Sequence, residues 1–174
     1  EELSLLKNFA NLQLQEGISS TALCLYLKAE RIIVDKNLGP KKPENIRRLQ
    51  AQALYDLGQF RLSLKILQPI LDDNQTDTNL RLVVSELWLE TDNPRKAKEV
   101  AAPILKSDFN PSLKQIYSFS NLLLRLGDFN RALASFEEGT SIHRRRIEEL
   151  DEKTRLTYDT TCWNFSLMLL RRGI

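Results

Sequence analysis

The chain has 174 residues, of which 42% are hydrophobic and 28% charged, and its net charge is +2. This near-even charge balance argues against a nucleic-acid-binding module, which usually carries a basic stripe. No run approaches the roughly 18 consecutive apolar residues of a membrane span, so we expect no membrane association. With only 6 Gly and 6 Pro, the composition favours an all-α fold.

Taken in chain order, apolar segments with helical spacing are separated by turns that share one motif. The motif is clearest at residues 126–133 (LGDFNRAL) and 57–64 (LGQFRLSL), and degenerate copies occur at 16–23 and 91–98. Gly127 is expected to end one helix in a left-handed conformation, and Asp128 to cap the next. Each motif therefore predicts the tight turn of a helical hairpin.

Small residues recur in two registers along the chain. After each turn they are Ala22, Ser63, Ala97 and Ala132, which are spaced by 41, 34 and 35 residues. Before each turn they are Ala10, Ala51, Ser85, Ser120 and Ser166, which are spaced by 41, 34, 35 and 46 residues. The two sets of small residues share the same first three spacings, which indicates a repeat close to the 34-residue tetratricopeptide period. We expect the small residues to lie where paired helices cross, with Phe136 filling space between neighbouring hairpins.

The repeat divides the chain into predicted segments. The units are 3–36, 44–77, 78–111 and 113–146, followed by a half repeat at 159–174, a turn-rich insertion at 37–43 and a helix extension or linker at 147–158. Prolines at 69, 94 and 103 are expected to bend or shorten their helices. Residues 144–157 mix Arg with Glu at spacings that favour intrahelical ion pairs, which is typical of a solvated helix.

On these residues the chain resembles the tetratricopeptide repeat (TPR) family over nearly its whole length. Ala22 and Tyr26, and likewise Ala132 and Phe136, match the Ala-x-x-x-aromatic pattern of the second helix, whereas Phe119-Ser120 replaces the usual Leu-Gly of the first. The resemblance implies an α-α superhelix, a solenoid of stacked antiparallel helical hairpins. It also implies a concave groove, lined by the first helices, that binds a peptide or partner protein.

The register of the family aims a set of mostly polar side chains into that groove. They are Lys7, Asn11, Arg48, Gln52, Tyr55, Asn79, Glu86, Lys114, Tyr117, Asn121, Arg125 and Trp163. Because four are basic and only Glu86 is acidic, we expect an acidic or C-terminal peptide as ligand. The alternative is that these residues are merely the hydrated face that every amphipathic helix has. The carboxylate clamp of one TPR subclass is not predicted, because only Lys7 and Asn11 match it and Leu49, Asn79 and Val83 do not.

The resemblance to the TPR family implies a noncatalytic interaction scaffold, and we expect no cofactor or metal. His143 is the only histidine and has no base-orienting partner in the sequence. Cys24 and Cys162 lie in apolar helical stretches, so we expect buried free thiols and a cytoplasmic protein. The abrupt ends suggest a fragment, and the alternative function is the substrate-recognition arm of a larger enzyme, such as a glycosyltransferase or another group-transfer enzyme. Exposed Leu167 and Leu170 would allow a homodimer through the C-terminal repeat.

Overall fold

The computed structural model describes residues 2–38, 41–106, 109, 111–145, 159, 162–163, 165–167 and 170. In this part of the chain, eight α-helices of 13 to 17 residues have defined bounds, residues 159, 162–163, 165–167 and 170 are also helical, and no strand occurs. The helices are α1 (Glu2–Gln15), α2 (Ser19–Asp35), α3 (Lys41–Asp56), α4 (Phe60–Asp73), α5 (Thr78–Glu90), α6 (Pro94–Lys106), α7 (Leu113–Arg125) and α8 (Phe129–Arg145). The predicted all-α fold of helical hairpins is confirmed. None of the described helices combines the length and apolar character that a membrane crossing requires.

The chain forms two compact units, Glu1–Ala97 and Lys98–Ile174. In the first, helices α1 to α5 pack each against the next. In the second, α7 packs against α8. Three-residue connections join α1 to α2, α3 to α4 and α7 to α8, so the helices of each of these pairs run antiparallel.

Four of the turns share one backbone geometry. A residue with positive φ stands at Gly17 (77°), Gly58 (70°), Asp92 (59°) and Gly127 (87°). At the last of these, the Gly127 N–H donates to the Leu124 carbonyl at 3.1 Å and the Asp128 N–H donates to the Leu123 carbonyl at 2.9 Å. The same pair of bonds closes the other three turns, so each first helix ends in a Schellman motif. The predicted cap is also confirmed, because the Asp128 carboxylate accepts the Arg131 N–H at 3.4 Å.

The small residues of both registers lie at the helix crossings. Ala10, Ala22, Ala51, Ser63, Ser85, Ala97, Ser120 and Ala132 are all 0% exposed, whereas Ser166 is exposed. In the second hairpin, the Ser63 hydroxyl donates to the Ala51 carbonyl at 2.8 Å. This bond directly joins the small residue before the turn to the small residue after it. A larger side chain at either position would push the paired backbones apart.

The prolines disturb the helices less than the sequence suggests. Pro94 is the first residue of α6, where a missing N–H has no cost, so the expected shortening there is wrong. Pro43 lies in the first turn of α3, which begins at Lys41 inside the predicted insertion. Helices α4 and α6 continue past Pro69 and Pro103 to Asp73 and Lys106. Neither proline ends its helix.

The prediction of two buried thiols is wrong. Cys24 is exposed, Cys162 is half-buried, and neither forms a disulfide. Helix α2 buries Ala22, Tyr26, Ala29 and Ile33, whose spacing of three and four residues defines its inner face. Cys24 is two residues from Ala22 and therefore points away from that face.

Helix α1 carries an apolar stripe that no described helix covers. Leu5 is 68% exposed, Phe9 51% and Leu12 48%. Their register equivalents in α3 are Ile46, Gln50 and Ala53, and in α5 they are Leu80, Val84 and Leu87; all six are buried. Since α3 packs on α2 and α5 packs on α4, this register position is the stacking face of each first helix. We call Leu5, Phe9 and Leu12 the α1 stripe.

Candidate peptide-binding surface

The predicted groove residues divide between the two units. Lys7, Asn11, Arg48, Gln52, Tyr55, Asn79 and Glu86 belong to the first, and Lys114, Tyr117, Asn121, Arg125 and Trp163 to the second. The side chain of Lys114 lies outside the described residues, as does the structure of the predicted extension at 147–158. The groove is therefore described unit by unit.

Two polar rows run along the first helices. In the first unit one row consists of Asn11, Gln52 and Glu86, which occupy a single register position in α1, α3 and α5 and are all at least partly exposed; Asn121 has the equivalent position on α7 of the second unit. The other contains Ser4, Asn45 and Asn79, which are exposed at a second register position in α1, α3 and α5. Sequence reasoning missed Ser4 and Asn45, although the steps that relate the small residues would have found them.

Arg48 is engaged by two carboxylates. Its Nη1 lies 2.8 Å from Asp77 Oδ2, and its Nη2 lies 3.0 Å from Glu44 Oε1. Asp77 is also the N-cap of α5, where it accepts the Leu80 N–H at 2.9 Å. The prediction of a basic groove included Arg48 but neither carboxylate. The positive charge of Arg48 is in fact compensated within the protein.

The pKa values in this cluster follow from the same contacts. Burial alone would raise the pKa of Asp77, but the Leu80 N–H and the Arg48 guanidinium outweigh it and hold that pKa below its ordinary value. Burial would lower the pKa of Arg48, whereas the hydrogen bonds to Asp77 and Glu44 raise it overall. Both groups are thus held in their charged forms. The pair links α3 to the start of α5.

Asn11 has a role inside its own hairpin. The hydroxyl of Tyr26, a residue with 0% exposure, donates to Asn11 Oδ1 at 2.7 Å. Burial raises the pKa of Tyr26, so the hydroxyl keeps its proton for this bond. Asn11 is a groove candidate that also satisfies a buried polar group of α2.

The prediction that Tyr117 lines the groove is wrong. Its side chain is 1% exposed and its ring meets that of Phe136 edge-on, with 6.2 Å between the centroids. It lies against Gly139 of α8, where a Cβ would come within 3.1 Å of Tyr117 Cε1. Because the glycine leaves space beneath it, the tyrosine ring fills the core of this hairpin.

The remaining candidates lie at the surface or near it. Gln52 Nε2 donates to Asp56 Oδ1 at 2.9 Å, and the ring of Tyr55 meets that of Phe60 edge-on at 5.3 Å. Arg125 is exposed, and Trp163 is 66% exposed. The predicted filling by Phe136 is confirmed, since its ring stacks on Phe165 with centroids 4.5 Å apart. Leu170 is 72% exposed, and dimerisation through it stays a prediction.

The described residues contain no group of three or more His, Cys, Asp or Glu side chains that could hold a metal ion. The side chain of His143 lies outside the described part of the chain. The described helices form a helical-hairpin repeat with polar rows on its first helices.

Comparison with known proteins is consistent with this class. No family model matches the chain. Over 101 residues it is 32% identical to DnaJ homolog subfamily C member 3 of Mus musculus, a match that covers 56% of this chain and 19% of the relative. The chain thus spans about a fifth of the length of that relative. The match and the helical hairpins are compatible with the tetratricopeptide resemblance.

Proposed function

We propose that the chain is a noncatalytic scaffold of the tetratricopeptide type, which binds an extended segment of a partner protein along its first helices. The observation that carries this proposal is the row formed by Asn11, Gln52 and Glu86 in the first unit. Amide and carboxylate groups recur at one register position on helices whose opposite faces are buried. Such groups suit a peptide backbone, which offers a donor and an acceptor at almost every residue.

The support of the rows is rigid. Arg48 and Asp77 tie α3 to α5, and the Tyr26 hydroxyl fixes Asn11. Side chains held by such contacts lose little conformational entropy on binding, which favours affinity. An acidic or C-terminal ligand remains part of the proposal, but in the first unit it now rests on Lys7, since the charge of Arg48 is compensated.

Peptides selected from a random display library against the intact chain provide the test. The dissociation constant of a selected peptide is measured by fluorescence anisotropy for the wild type and for the double variant Gln52→Ala, Asn79→Ala. Losing two hydrogen bonds of about 1 kcal/mol each weakens binding at least about tenfold. Lys28→Ala, an exposed change on α2, is the matched control and leaves affinity unaltered. Equal affinity for the double variant and the control refutes the groove.

The charge preference has a separate test with the same peptides. Lys7→Glu weakens binding of acidic peptides by about fivefold or more and leaves that of neutral ones in place. If the variant binds both kinds of peptide as the wild type does, the preference for an acidic ligand is refuted. Binding along the polar rows is not affected by that result.

A further inference from the structure

A second candidate surface lies between α4 and the end of α5, on residues that the polar rows do not use. This α4–α5 groove has a volume of about 500 Å³, and Leu64, Pro69 and Trp88 form its apolar floor. Arg61 and Lys65 line one rim. No carboxylate is present among the described residues that line it. The groove is therefore apolar below and cationic at its edge.

Trp88 is held in a fixed orientation at this site. Its Nε1 donates to Gln68 Oε1 at 3.1 Å, and Gln68 Nε2 donates in turn to Asp72 Oδ1 at 2.9 Å. Lys96 Nζ stands 4.4 Å from the centre of the Trp88 ring, which adds a third cation beside the groove. An indole fixed in this way is an apolar anchor point that needs little ordering when a ligand binds.

The two rim cations are unfavourable for the helix that bears them. Arg61 and Lys65 are four residues apart on α4, where like charges repel by a few tenths of a kcal/mol. Arg61 is also in the first turn, where the helix dipole disfavours a cation. Both side chains are exposed, and neither forms an ion pair within the part of the chain that the structure describes. A docked carboxylate would relieve both costs.

The backbone offers a further contact in the same place. Pro69 has no N–H, so the Lys65 carbonyl loses the hydrogen bond that a residue four positions later normally donates. Lys65 and Pro69 both line the groove. A peptide N–H can therefore bond to this carbonyl while an acidic side chain meets the Lys65 ammonium.

From these contacts we infer that the α4–α5 groove binds a short acidic peptide segment of a partner protein. One apolar side chain of the segment lies on Pro69 and Trp88, and its carboxylates meet Lys65 and Arg61. Lys65 contributes more than Arg61, because Arg61 also lines an adjoining hollow of about 350 Å³ that includes Glu90 and Asp92. This site is additional to the polar rows of the proposed function.

An array of short acidic peptides, each with one varied central apolar residue, tests the inference against matched basic peptides. Acidic peptides with a central Leu, Met or Pro bind, and a central Ser weakens them about fivefold or more. Binding changes the emission of Trp88, measured in a Trp163→Phe background in which Trp88 is the sole tryptophan. Equal binding of acidic and basic peptides, no binding at all, or an unchanged Trp88 emission overturns the inference.

Variants separate this site from the polar rows. Lys65→Glu weakens the acidic peptide about tenfold or more and Arg61→Glu less, whereas Lys28→Glu, the same charge change on exposed α2, does not. Equal losses for Lys65→Glu and Lys28→Glu would indicate general electrostatic attraction and refute the site. The double variant Gln52→Ala, Asn79→Ala keeps full affinity for these peptides. If it loses affinity while Lys65→Glu does not, the peptide lies on the polar rows and this inference fails while the proposed function stands.

Discussion

At the scale of single residues, Gly139 shows how one missing side chain shapes a hairpin. A Cβ at this position would stand 2.7 Å from Ile116 Cγ2, closer than real contacts allow. Ile116 is itself only 1% exposed, and its Cγ2 is attached directly to the branched Cβ, so it cannot swing away as the end of a flexible side chain would. The register equivalent of Gly139 in the first hairpin is Ala29, which is buried with its Cβ in place. The glycine is therefore a local requirement of α7 and α8.

Gly139→Ala is expected to lower the free energy of unfolding. Alanine favours helix by about 1 kcal/mol over glycine, but overpacking costs about 1–3 kcal/mol, and the fixed Ile116 decides for a net loss. Urea unfolding followed by circular dichroism measures it. In an Ile116→Leu background, which removes the branch at Cβ, the loss becomes smaller. A variant as stable as the wild type contradicts the predicted clash.

Asp92 holds the left-handed position that glycine holds in three other turns, with φ of 59°. This conformation costs a non-glycine residue about 1 kcal/mol. Asp92→Gly is therefore expected to raise stability by about 0.5–1 kcal/mol, partly offset by the greater freedom of the unfolded chain. Thermal unfolding measures the change, and Gly127→Ala is the reciprocal control, expected to destabilise. A destabilised Asp92→Gly variant would show that the aspartate side chain has a role of its own.

Single residues were predictable where their role is local. Gly127 and Asp128 act through bonds to residues at most five positions away, so the motif alone identified the turn and its cap. Tyr117 could not be placed, because its burial depends on Gly139 in the next helix. The same is true of Arg48, whose partner Asp77 lies 29 residues further on.

At the scale of elements, the Arg48–Asp77 pair couples α3 to α5 in a pH-dependent way. The pKa of Asp77 is depressed in the folded protein, so its contribution is complete above the ordinary value of 3.8. That contribution is lost as the pH falls through the lower folded-state pKa. The contact therefore weakens in acid, below the ordinary range of an aspartate.

Asp77→Asn is expected to be less stable than the wild type at neutral pH, by about 1 kcal/mol for a partly buried charged contact. The difference shrinks below about pH 4, where the carboxyl of the unfolded chain takes up its proton, and it is lost below the lower pKa of the folded state. Unfolding free energies measured between pH 2 and pH 7 test this. Arg48→Ala should flatten only part of the pH dependence over this range, because the Leu80 N–H still bonds to the carboxylate. A difference between Asp77→Asn and the wild type that stays constant with pH would exclude the charge of Asp77 as its source.

Elements were predictable from periodicity, and their exceptions have physical causes. The apolar spacing of α7 and α8 marks both helices and their turn. Pro94 was misjudged because a proline that breaks a helix in its interior is well suited to its first position. Cys24 was misjudged because an apolar stretch does not itself say which face of a helix is buried.

At the scale of the whole molecule, repeated stacking makes equivalent positions unequal. The α1 stripe is exposed, whereas the same register positions in α3 and α5 are covered by the preceding helix. At the first of these positions the residues are Leu5, Ile46 and Leu80, which are similar in size and apolarity, so their environments account for the difference. Residues at equivalent register positions of different helices can therefore be substituted as matched pairs within one chain.

Leu5→Ala is expected to change the free energy of unfolding by less than about 0.5 kcal/mol, because the side chain is already in water. Leu80→Ala, at the equivalent position of α5, is expected to cost about 2–4 kcal/mol, because it leaves a cavity between α4 and α5. Denaturant unfolding of the two variants gives the comparison. Equal losses would mean that the α1 stripe is covered in solution.

The arrangement of the site could be predicted only in part. The repeat steps place Asn11, Gln52, Glu86 and Asn121 at one register position from sequence alone. The α4–α5 groove was not predicted, because it depends on how the packing of α4 and α5 brings Pro69 and Trp88 to one surface, and these residues belong to different hairpins. Chemistry that lies between repeats needs the packed structure.

The three-residue turns have a consequence for how the chain folds. Within the first unit each helix contacts the next one along the sequence, so native contacts form between segments that are close in the chain. Loop closure then costs little entropy, and low contact order favours rapid folding. A hairpin that has formed presents the surface on which the following helix can settle, so order can spread along the array from any such nucleus.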